Sequence, residues 1–281
     1  MSALLLFKTL WGFSGSLAQA LTLAAAQGFD GLELNLQHPC LAGLTAPQVL
    51  EAFTQAHQGL ILEIVTGGDY VPSLEQGPAQ HLEELSEQLQ RALELQPLRI
   101  SVIAGCDAWG ARQQRQFWDE AVALAQAAAA PVSFETHRSR SLFNPWAIED
   151  WLSTYPDLRL TADLSHWCAV AERLMTPELT PIQAMAERVD HIHARVGHAQ
   201  GPSVGHPLAP EWAEALEAHR RCWALFSQSQ RRRGFAPRTI TPEFGPDGYL
   251  PQLPFTGQLV ADLEEINRSL GAWIKAGALE R

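Results

Sequence analysis

The sequence predicts a single α/β domain over residues 1–281, built as a closed (β/α)8 barrel of the TIM type. Short apolar runs alternate with longer segments of helical periodicity throughout the chain. This alternation supplies eight strand–helix pairs in order, which is typical of parallel strands joined by helical crossovers. The length of 281 residues suits a barrel of this type, which needs about 250 residues, and no obvious linker divides the chain.

The predicted strands are the short apolar runs at residues 4–11, 31–36, 60–66, 99–104, 131–137, 158–164, 189–196 and 239–244. The predicted helices follow them at residues 16–27, 46–57, 79–95, 111–129, 145–153, 169–187, 209–230 and 256–275. We expect a break in the sixth helix around Pro177 and Pro181, because proline lacks the amide hydrogen that a helix interior needs.

Charge and cysteine content narrow the classes of function. The formal net charge is −11, whereas nucleic-acid binders carry a basic face, so we expect no nucleic-acid partner. The four cysteines are scattered without a C-x-x-C pair, which favours reduced thiols and a cytoplasmic location. No apolar run approaches the roughly 18 residues that span a bilayer, and we expect neither a signal peptide nor membrane association.

The second predicted strand has one polar face. Between residues 31 and 36, leucines alternate with Glu33 and Asn35, and neighbouring residues of a strand point to opposite faces. If the leucines pack against helices, Glu33 points into the barrel. Because a buried glutamate is rare unless it is paired or ligating, Glu33 is either a structural hydrogen-bonding group or a site residue.

Polar side chains mark the ends of four consecutive predicted strands, where the active site of such a barrel forms. They are Glu135, Asp163, His193 and Glu243. Carboxylates that converge in a barrel mouth repel one another unless a cation lies between them. The sequence therefore predicts one divalent metal ion, and the oxygen-rich ligand set favours manganese, magnesium or cobalt, with zinc as an alternative.

The motifs around these residues point to a known family. They are Phe-Glu-Thr at Glu135, Ala-Asp-Leu-Ser-His from Ala162 to His166, His-Ile-His ending at His193, and Thr-Pro-Glu-Phe-Gly around Glu243. With them the chain resembles the sugar-phosphate isomerase/epimerase superfamily of xylose isomerase-like barrels, over essentially its whole length in element order. The resemblance implies that the four strand-end residues bind the metal in this order. His191 would lie deeper in the barrel, behind the ligands.

The resemblance also implies a mechanism. The metal would act as a Lewis acid on a hydroxy-ketone and stabilise the enediolate formed when a C–H proton leaves. Glu135 and Glu243 would serve as base and acid besides binding the metal. His166 would hydrogen-bond a substrate oxygen. Arg195 would stabilise charge on that oxygen, or alternatively form a salt bridge to a ligand carboxylate.

Four residues near strand ends are candidate substrate contacts: Trp11, Glu33, His137 and His198. The pair His137-Arg138 departs from the polar pair that we expect in the sugar 3-epimerases at this position. The loop at 197–207, which carries His198, is either a mobile lid or a solvated loop. Tryptophans near strand ends flank sugar rings in some proteins and serve only packing in others.

We therefore expect a metal-dependent isomerase or epimerase that acts on a small keto-sugar or a related polyhydroxy carbonyl compound. A lyase on the same platform is the alternative, either a dehydratase or an enzyme that cleaves a keto-glycoside by β-elimination. An AP-endonuclease-like hydrolase and a non-catalytic sugar-binding barrel are further alternatives. No nucleotide-binding motif is present, so neither a nicotinamide cofactor nor ATP is expected. The oligomeric state is open, with a homo-oligomer as one option.

Overall fold

The computed structural model describes residues 4–280 and confirms the predicted α/β barrel. Eight parallel strands close into one barrel in the order of the sequence. The strands are β1 (Leu4–Thr9), β2 (Gly31–Asn35), β3 (Gly59–Val65), β4 (Arg99–Ile103), β5 (Val132–Glu135), β6 (Leu160–Ala162), β7 (Val189–Ala194) and β8 (Arg238–Pro242). The outermost residues of the predicted domain, 1–3 and 281, lie outside the described part.

The helices connect the strands and pack against the outside of the barrel. They are α1 (Leu17–Ala26), α2 (Ala46–Ala56), α3 (Pro78–Glu94), α4 (Ala111–Ala127), α5 (Ile148–Thr154), α6 (Leu164–Ala171), α7 (Thr180–Met185), α8 (Ala213–Arg232) and α9 (Leu263–Lys275). Among the described residues, no helix has the length and apolar character needed to cross a membrane.

The predicted boundary between the sixth strand and its helix was wrong. We expected the strand to reach residue 164 and the helix to begin at residue 169, but α6 already begins at Leu164. The side chain of Asp163 caps this helix by accepting a hydrogen bond from the amide of Ser165 at 2.9 Å. The predicted break is confirmed, because α6 and α7 are separate helices and Pro181 lies in the first turn of α7.

The last helix also begins later than predicted, at Leu263 instead of residue 256. Its start is set by Asp262, whose side chain accepts a hydrogen bond from the amide of Glu265 at 2.8 Å. The preceding segment forms a loop, in which Gln252 and Leu259 make an isolated antiparallel bridge. The helical pattern of the sequence therefore predicted a helix that begins too early, because it included part of this loop.

One aromatic ring fills the barrel interior near the N-terminal ends of the first strands. Phe7 of β1 is fully buried and occupies space that Gly31 and Gly59 leave open. A Cβ atom added to Gly31 would lie 2.5 Å from the Phe7 ring, and one added to Gly59 would lie 3.0 Å from it. Phe7 thus fills this end of the barrel interior between β1, β2 and β3.

We predict that Gly31→Ala destabilises the protein by about 2 kcal/mol or more, because the core has no room for the methyl group. The added Cβ would lie 2.2 Å from the carbonyl oxygen of Gly59, which is backbone and cannot rotate away. Urea unfolding measures the loss. Gly110→Ala is the matched control, because a Cβ there meets nothing within 4 Å. It should cost less than about 1 kcal/mol, and an equal loss in both variants would contradict this account of the core.

Candidate metal centre and substrate cavity

Buried side chains from four consecutive strands converge at the mouth of the barrel. They are Glu135 at the end of β5, Asp163 after β6, His193 on β7 and Glu243 after β8. One ligand-type atom of each residue lies within 4.8 Å of the corresponding atoms of the other three. The four side chains converge because a closed parallel barrel brings the C-terminal ends of all strands to one rim. The structure thus brings together the four residues that the sequence suggested as metal ligands.

Two buried atoms at this meeting point lack a hydrogen-bond partner in the described structure, Glu135 Oε2 and His193 Nδ1. They lie 3.5 Å apart, and His193 Nδ1 is 3.0 Å from Glu243 Oε2. Buried polar atoms normally have a partner, and a divalent cation would supply one to both. The residues therefore fit a metal ion, and three carboxylates with one imidazole suit manganese, magnesium or cobalt and also accept zinc.

The orientation of His193 is set by Glu33 from the far side of the barrel. One oxygen of Glu33 lies 2.9 Å from His193 Nε2 and the other lies 3.0 Å from His191 Nε2. Because a carboxylate only accepts hydrogen bonds, both imidazoles donate from Nε2 and His193 presents Nδ1 to the centre. His191 Nδ1 lies 2.7 Å from the Thr239 hydroxyl, which places His191 deeper than His193, as expected.

Both carboxylate oxygens of Glu33 therefore have the hydrogen-bond partners that a structural role requires. Burial opposes its ionisation, but the two imidazoles outweigh burial and hold the pKa of Glu33 well below its ordinary value. Glu33 also lines the cavity above the centre, although both of its oxygens are already engaged by His191 and His193. This arrangement favours the structural alternative for Glu33 over the substrate contact.

The buried charges at the centre act strongly on one another. Burial, together with the charges of Glu243 and Asp163, raises the pKa of Glu135 to about 7. Burial alone would lower the pKa of His193, but the carboxylates around it, first Glu243 and then Glu33, raise it well above its ordinary value. The centre thus brings together three carboxylates whose mutual repulsion a bound cation would reduce.

Arg195 joins the centre to the cavity. Its Nη2 atom lies 2.6 Å from Asp163 Oδ2, so the salt bridge that we gave as the alternative role of Arg195 is formed, with a residue of the predicted ligand set. Its Nε donates to the Ser165 hydroxyl at 2.9 Å. The guanidinium Cζ also lies 5.6 Å from the ring centroid of Trp11 and 4.7 Å from that of Tyr249. These contacts hold the guanidinium in the cavity wall.

The two histidines near Arg195 occupy different places. His166 is fully buried and is absent from the cavity wall, and its ring lies 3.9 Å from that of His137, which does line the cavity. Burial, reinforced by His137 and Arg195, lowers the pKa of His166 well below its ordinary value, so its ring is neutral. His137, a candidate substrate contact, therefore lines the cavity, whereas His166, which we expected to hydrogen-bond a substrate oxygen, lies behind it.

A cavity of about 730 Å³ opens above the centre, and Glu135 and Glu243 form part of its wall. Trp11 lines it with Tyr70 and Tyr249, and the ring centroids of Trp11 and Tyr249 are 5.0 Å apart. Trp11 thus lies where a substrate contact was expected. His198 does not line this cavity, because its ring packs on Trp212, 4.9 Å away between centroids, in the loop after β7.

The sequence analysis missed Glu63 of β3, which lines the same cavity. Burial and the charges of Glu243 and Glu135 raise the pKa of Glu63 to about 8. The signal was available, because Glu63 alternates with Leu62 and Ile64 in β3 as Glu33 alternates with leucines in β2. Tyr70 and Tyr249 were also missed, and they lie in loops without any periodic pattern.

The sequence analysis also missed Arg140, which is fully buried beside the cavity. Its guanidinium donates to the carbonyl oxygens of Thr66 at 2.6 Å, Tyr70 at 3.0 Å and Gly105 at 3.3 Å, and also to that of Asp69. These carbonyls belong to the loops after β3 and β4. Arg140 therefore ties two loops of the barrel mouth together and fixes the position of Tyr70.

Comparison with known proteins establishes the fold. No family model and no curated protein matches the chain. A D-allulose 3-epimerase from Methylomonas sp. matches with a TM-score of 0.66 at 15% identity, covering 98% of each chain. The probable 3-DHS dehydratase AsbF from Bacillus anthracis matches at 0.63 and 14% identity, covering 97% of this chain and 99% of its own.

A third solved structure is that of the IolI protein with a bound zinc atom. It matches with a TM-score of 0.65 at 13% identity and covers 99% of this chain and 98% of its own. At such low identities the likeness concerns architecture. The chain has the barrel fold of the xylose isomerase-like proteins, which is the fold that the motif resemblance implied.

We predict that Arg140→Lys destabilises the protein by about 2–4 kcal/mol, because a single ammonium group cannot reach carbonyl oxygens in two loops. Urea unfolding measures the loss, and hydrogen exchange should show faster exchange at residues 66–70. Arg112→Lys is the matched control on the exposed surface of α4 and should change stability by less than about 0.5 kcal/mol. Unchanged exchange in the Arg140 variant would show that the loops do not depend on this guanidinium.

Proposed function

We propose that the chain is a divalent-metal-dependent isomerase or epimerase that acts on a small keto-sugar or a related polyhydroxy carbonyl compound. The observation that carries this proposal is the convergence of three carboxylates and one imidazole at the base of a cavity. Within residues 4–280, Glu135 Oε2 and His193 Nδ1 are left there without hydrogen-bond partners. The fold is shared with a sugar epimerase, which supports the substrate class.

In this proposal Glu135, Asp163, His193 and Glu243 hold the metal. The ion would supply a Lewis acid for two neighbouring oxygens of the substrate. Glu135 and Glu243 extend from β5 and β8, which are not adjacent, and both also line the cavity. One glutamate can therefore remove a proton from the carbon beside the carbonyl, while the other returns a proton from a different side.

The remaining residues orient the substrate and balance its charge. Arg195 lines the cavity and stabilises negative charge on a substrate oxygen, while its salt bridge with Asp163 keeps the guanidinium in place. His137 offers an imidazole to the same space, and the buried His166 supports it from behind. Trp11 supplies an apolar face for the carbon side of a sugar.

A lyase on the same residues is the second candidate. Its first step, removal of a proton beside a carbonyl group, needs the same base and the same charge stabilisation. A probable dehydratase has the same fold over nearly the full length of this chain, which favours this alternative over unrelated chemistry. Formation of an α,β-unsaturated product, or release of an aglycone from a keto-glycoside, would distinguish a lyase from an epimerase.

We predict that the manganese-loaded protein catalyses solvent deuterium incorporation into at least one member of a panel of ketoses, keto-acids and 3-keto-glycosides. Glu135→Gln and Glu243→Gln should each lower the exchange rate by at least about 100-fold, because a glutamine cannot accept the proton. His191→Asn should lower it by about 10-fold, since His191 acts only through Glu33 and its neighbours. Mass spectrometry of the recovered compounds measures the exchange.

The control for these variants is His57→Asn. His57 is exposed at the end of α2 in a left-handed conformation that asparagine also adopts, so exchange should be unchanged. Full exchange in either glutamine variant would contradict the assigned roles of the two glutamates. Exchange that persists after the metal is removed by a chelator would contradict the metal dependence.

We also predict that Glu33→Gln weakens manganese binding by about 10- to 100-fold. A glutamine side chain offers one acceptor and one donor, so it cannot accept hydrogen bonds from both His191 and His193, and His193 loses its orientation. Calorimetric titration with manganese measures the affinity. Glu87→Gln, on the exposed face of α3, removes the same charge and should leave the affinity unchanged. Equal manganese affinities of the two variants would contradict the role of Glu33 in orienting His193.

A further inference from the structure

Glu63 is a cavity carboxyl group that lies outside the proposed metal set. Its side chain is only 6% exposed and forms part of the cavity wall with Glu135 and Glu243. Its Oε1 atom accepts hydrogen bonds from Asn35 Nδ2 and from the Tyr70 hydroxyl, each at 3.1 Å. In the described structure Oε2 accepts no hydrogen bond, so one acceptor oxygen is left for another molecule.

The surroundings of Glu63 do not explain it as a structural residue. No arginine, lysine or histidine of the described chain lies within ion-pair distance of its carboxyl group, whose only hydrogen-bond donors are neutral. Burying a carboxyl group with so little compensation costs stability, and an apolar residue would avoid this cost. A carboxyl group kept in a cavity wall under these conditions is typical of a binding or catalytic residue.

The position of Glu63 is well defined. Asn35 is its direct neighbour across the β2–β3 pair, where the two residues are in register. Tyr70 comes from the loop after β3, and the guanidinium of Arg140 holds the Tyr70 carbonyl at 3.0 Å. Because strand, neighbouring strand and loop all restrain it, the carboxyl group is already oriented before any molecule enters the cavity.

We propose that Glu63, together with Tyr70, binds a hydroxyl group of the substrate beyond the oxygens that face the metal centre and so selects among polyhydroxylated substrates. This inference rests on the proposed function. The free oxygen of Glu63 accepts a hydrogen bond from a hydroxyl group, or donates one to it when the carboxyl group is protonated, and the Tyr70 oxygen, which donates its own proton to Glu63, accepts a hydrogen bond from a neighbouring hydroxyl group. The group bound here is an uncharged alcohol, because Glu63 and Tyr70 offer hydrogen-bonding oxygens and no cationic side chain of the described chain lies within ion-pair distance of Glu63 to balance an anion.

The test is a binding cycle with ketoses and their deoxy derivatives. The probes are D-fructose, D-allulose, D-tagatose and D-sorbose, followed by the 4-, 5- and 6-deoxy forms of the tightest binder. Binding to the manganese-loaded protein is followed by tryptophan fluorescence, since Trp11 lies in the cavity wall. We expect Glu63→Met to weaken binding of the parent ketose by about 10- to 100-fold.

The deoxy derivatives identify the hydroxyl group that Glu63 binds. One deoxy form should bind the wild-type protein as weakly as the parent ketose binds Glu63→Met. The Glu63→Met substitution should cause almost no further loss of affinity for that deoxy form, because the hydroxyl group that Glu63 binds is already missing. Glu63→Gln keeps an acceptor oxygen and should lose less than Glu63→Met. Calorimetry should give the same manganese affinity for these variants and the wild type, which shows that the centre is intact.

Asp107→Asn is the charge control, because it removes a carboxylate from the exposed rim of the same cavity without contacting Glu63. The loss in Glu63→Met should exceed that in Asp107→Asn. If the wild type binds a ketose but Glu63→Met lowers the affinity equally for the parent ketose and for every deoxy form, this inference alone is overturned. If the wild-type protein binds none of the ketoses, the proposed function fails and the role of Glu63 fails with it.

Discussion

The site depends on one contact across the barrel, the carboxylate of Glu33 with the imidazoles of His191 and His193. β2 and β7 are separated by two strands, so only a closed and narrow barrel lets these side chains meet. Both oxygens of Glu33 are used, and the Nδ1 atom of His193 is thereby turned toward the carboxylates of the neighbouring strands. Without this contact the imidazole could rotate, and the four-residue centre would have no defined geometry.

The second constraint is the repulsion among the carboxylates that this geometry brings together. Asp163 is partly compensated by Arg195, with which it forms a buried salt bridge at 2.6 Å. Among the described residues, Glu135 has no arginine or lysine partner and faces only the imidazoles of His193 and His166, and burial raises its pKa to about 7. The protein thus accepts an electrostatic cost at one place in its core, which is the pattern expected where binding of a cation or a substrate supplies the compensation.

The sequence was sufficient for the barrel and for the residues at its rim. Strand alternation placed Glu33 inside the barrel, and strand order placed Glu135, Asp163, His193 and Glu243 at one rim. The sequence was insufficient to place side chains whose positions depend on contacts with residues distant in the chain. His166 was expected at the substrate together with His137, but only His137 lines the cavity, and His166 is fully buried beside it.

Arg140 shows why such positions escape a local pattern. Its partners are backbone carbonyls of Thr66, Tyr70 and Gly105, at least 35 residues away in the chain. A carbonyl oxygen is offered by every residue, so no side-chain type in either loop signals the contact. The same argument applies to Tyr249, which reaches Arg195 from the loop after β8. Loops are therefore where sequence patterns carry the least information about this cavity.

The cavity wall accordingly divides into two parts with different origins. Groups on or directly after strands, such as Glu135 and Glu243, are positioned by the barrel itself, which is the part shared with other proteins of this fold. Groups on loops, such as Trp11 and Tyr70, are positioned by contacts of the loops with one another and with Arg140 and Arg195. A shared fold alone does not determine which substrate is bound. Glu63 belongs to the barrel by position but is held by Tyr70 from a loop, so it is where a loop contact acts directly on the barrel interior.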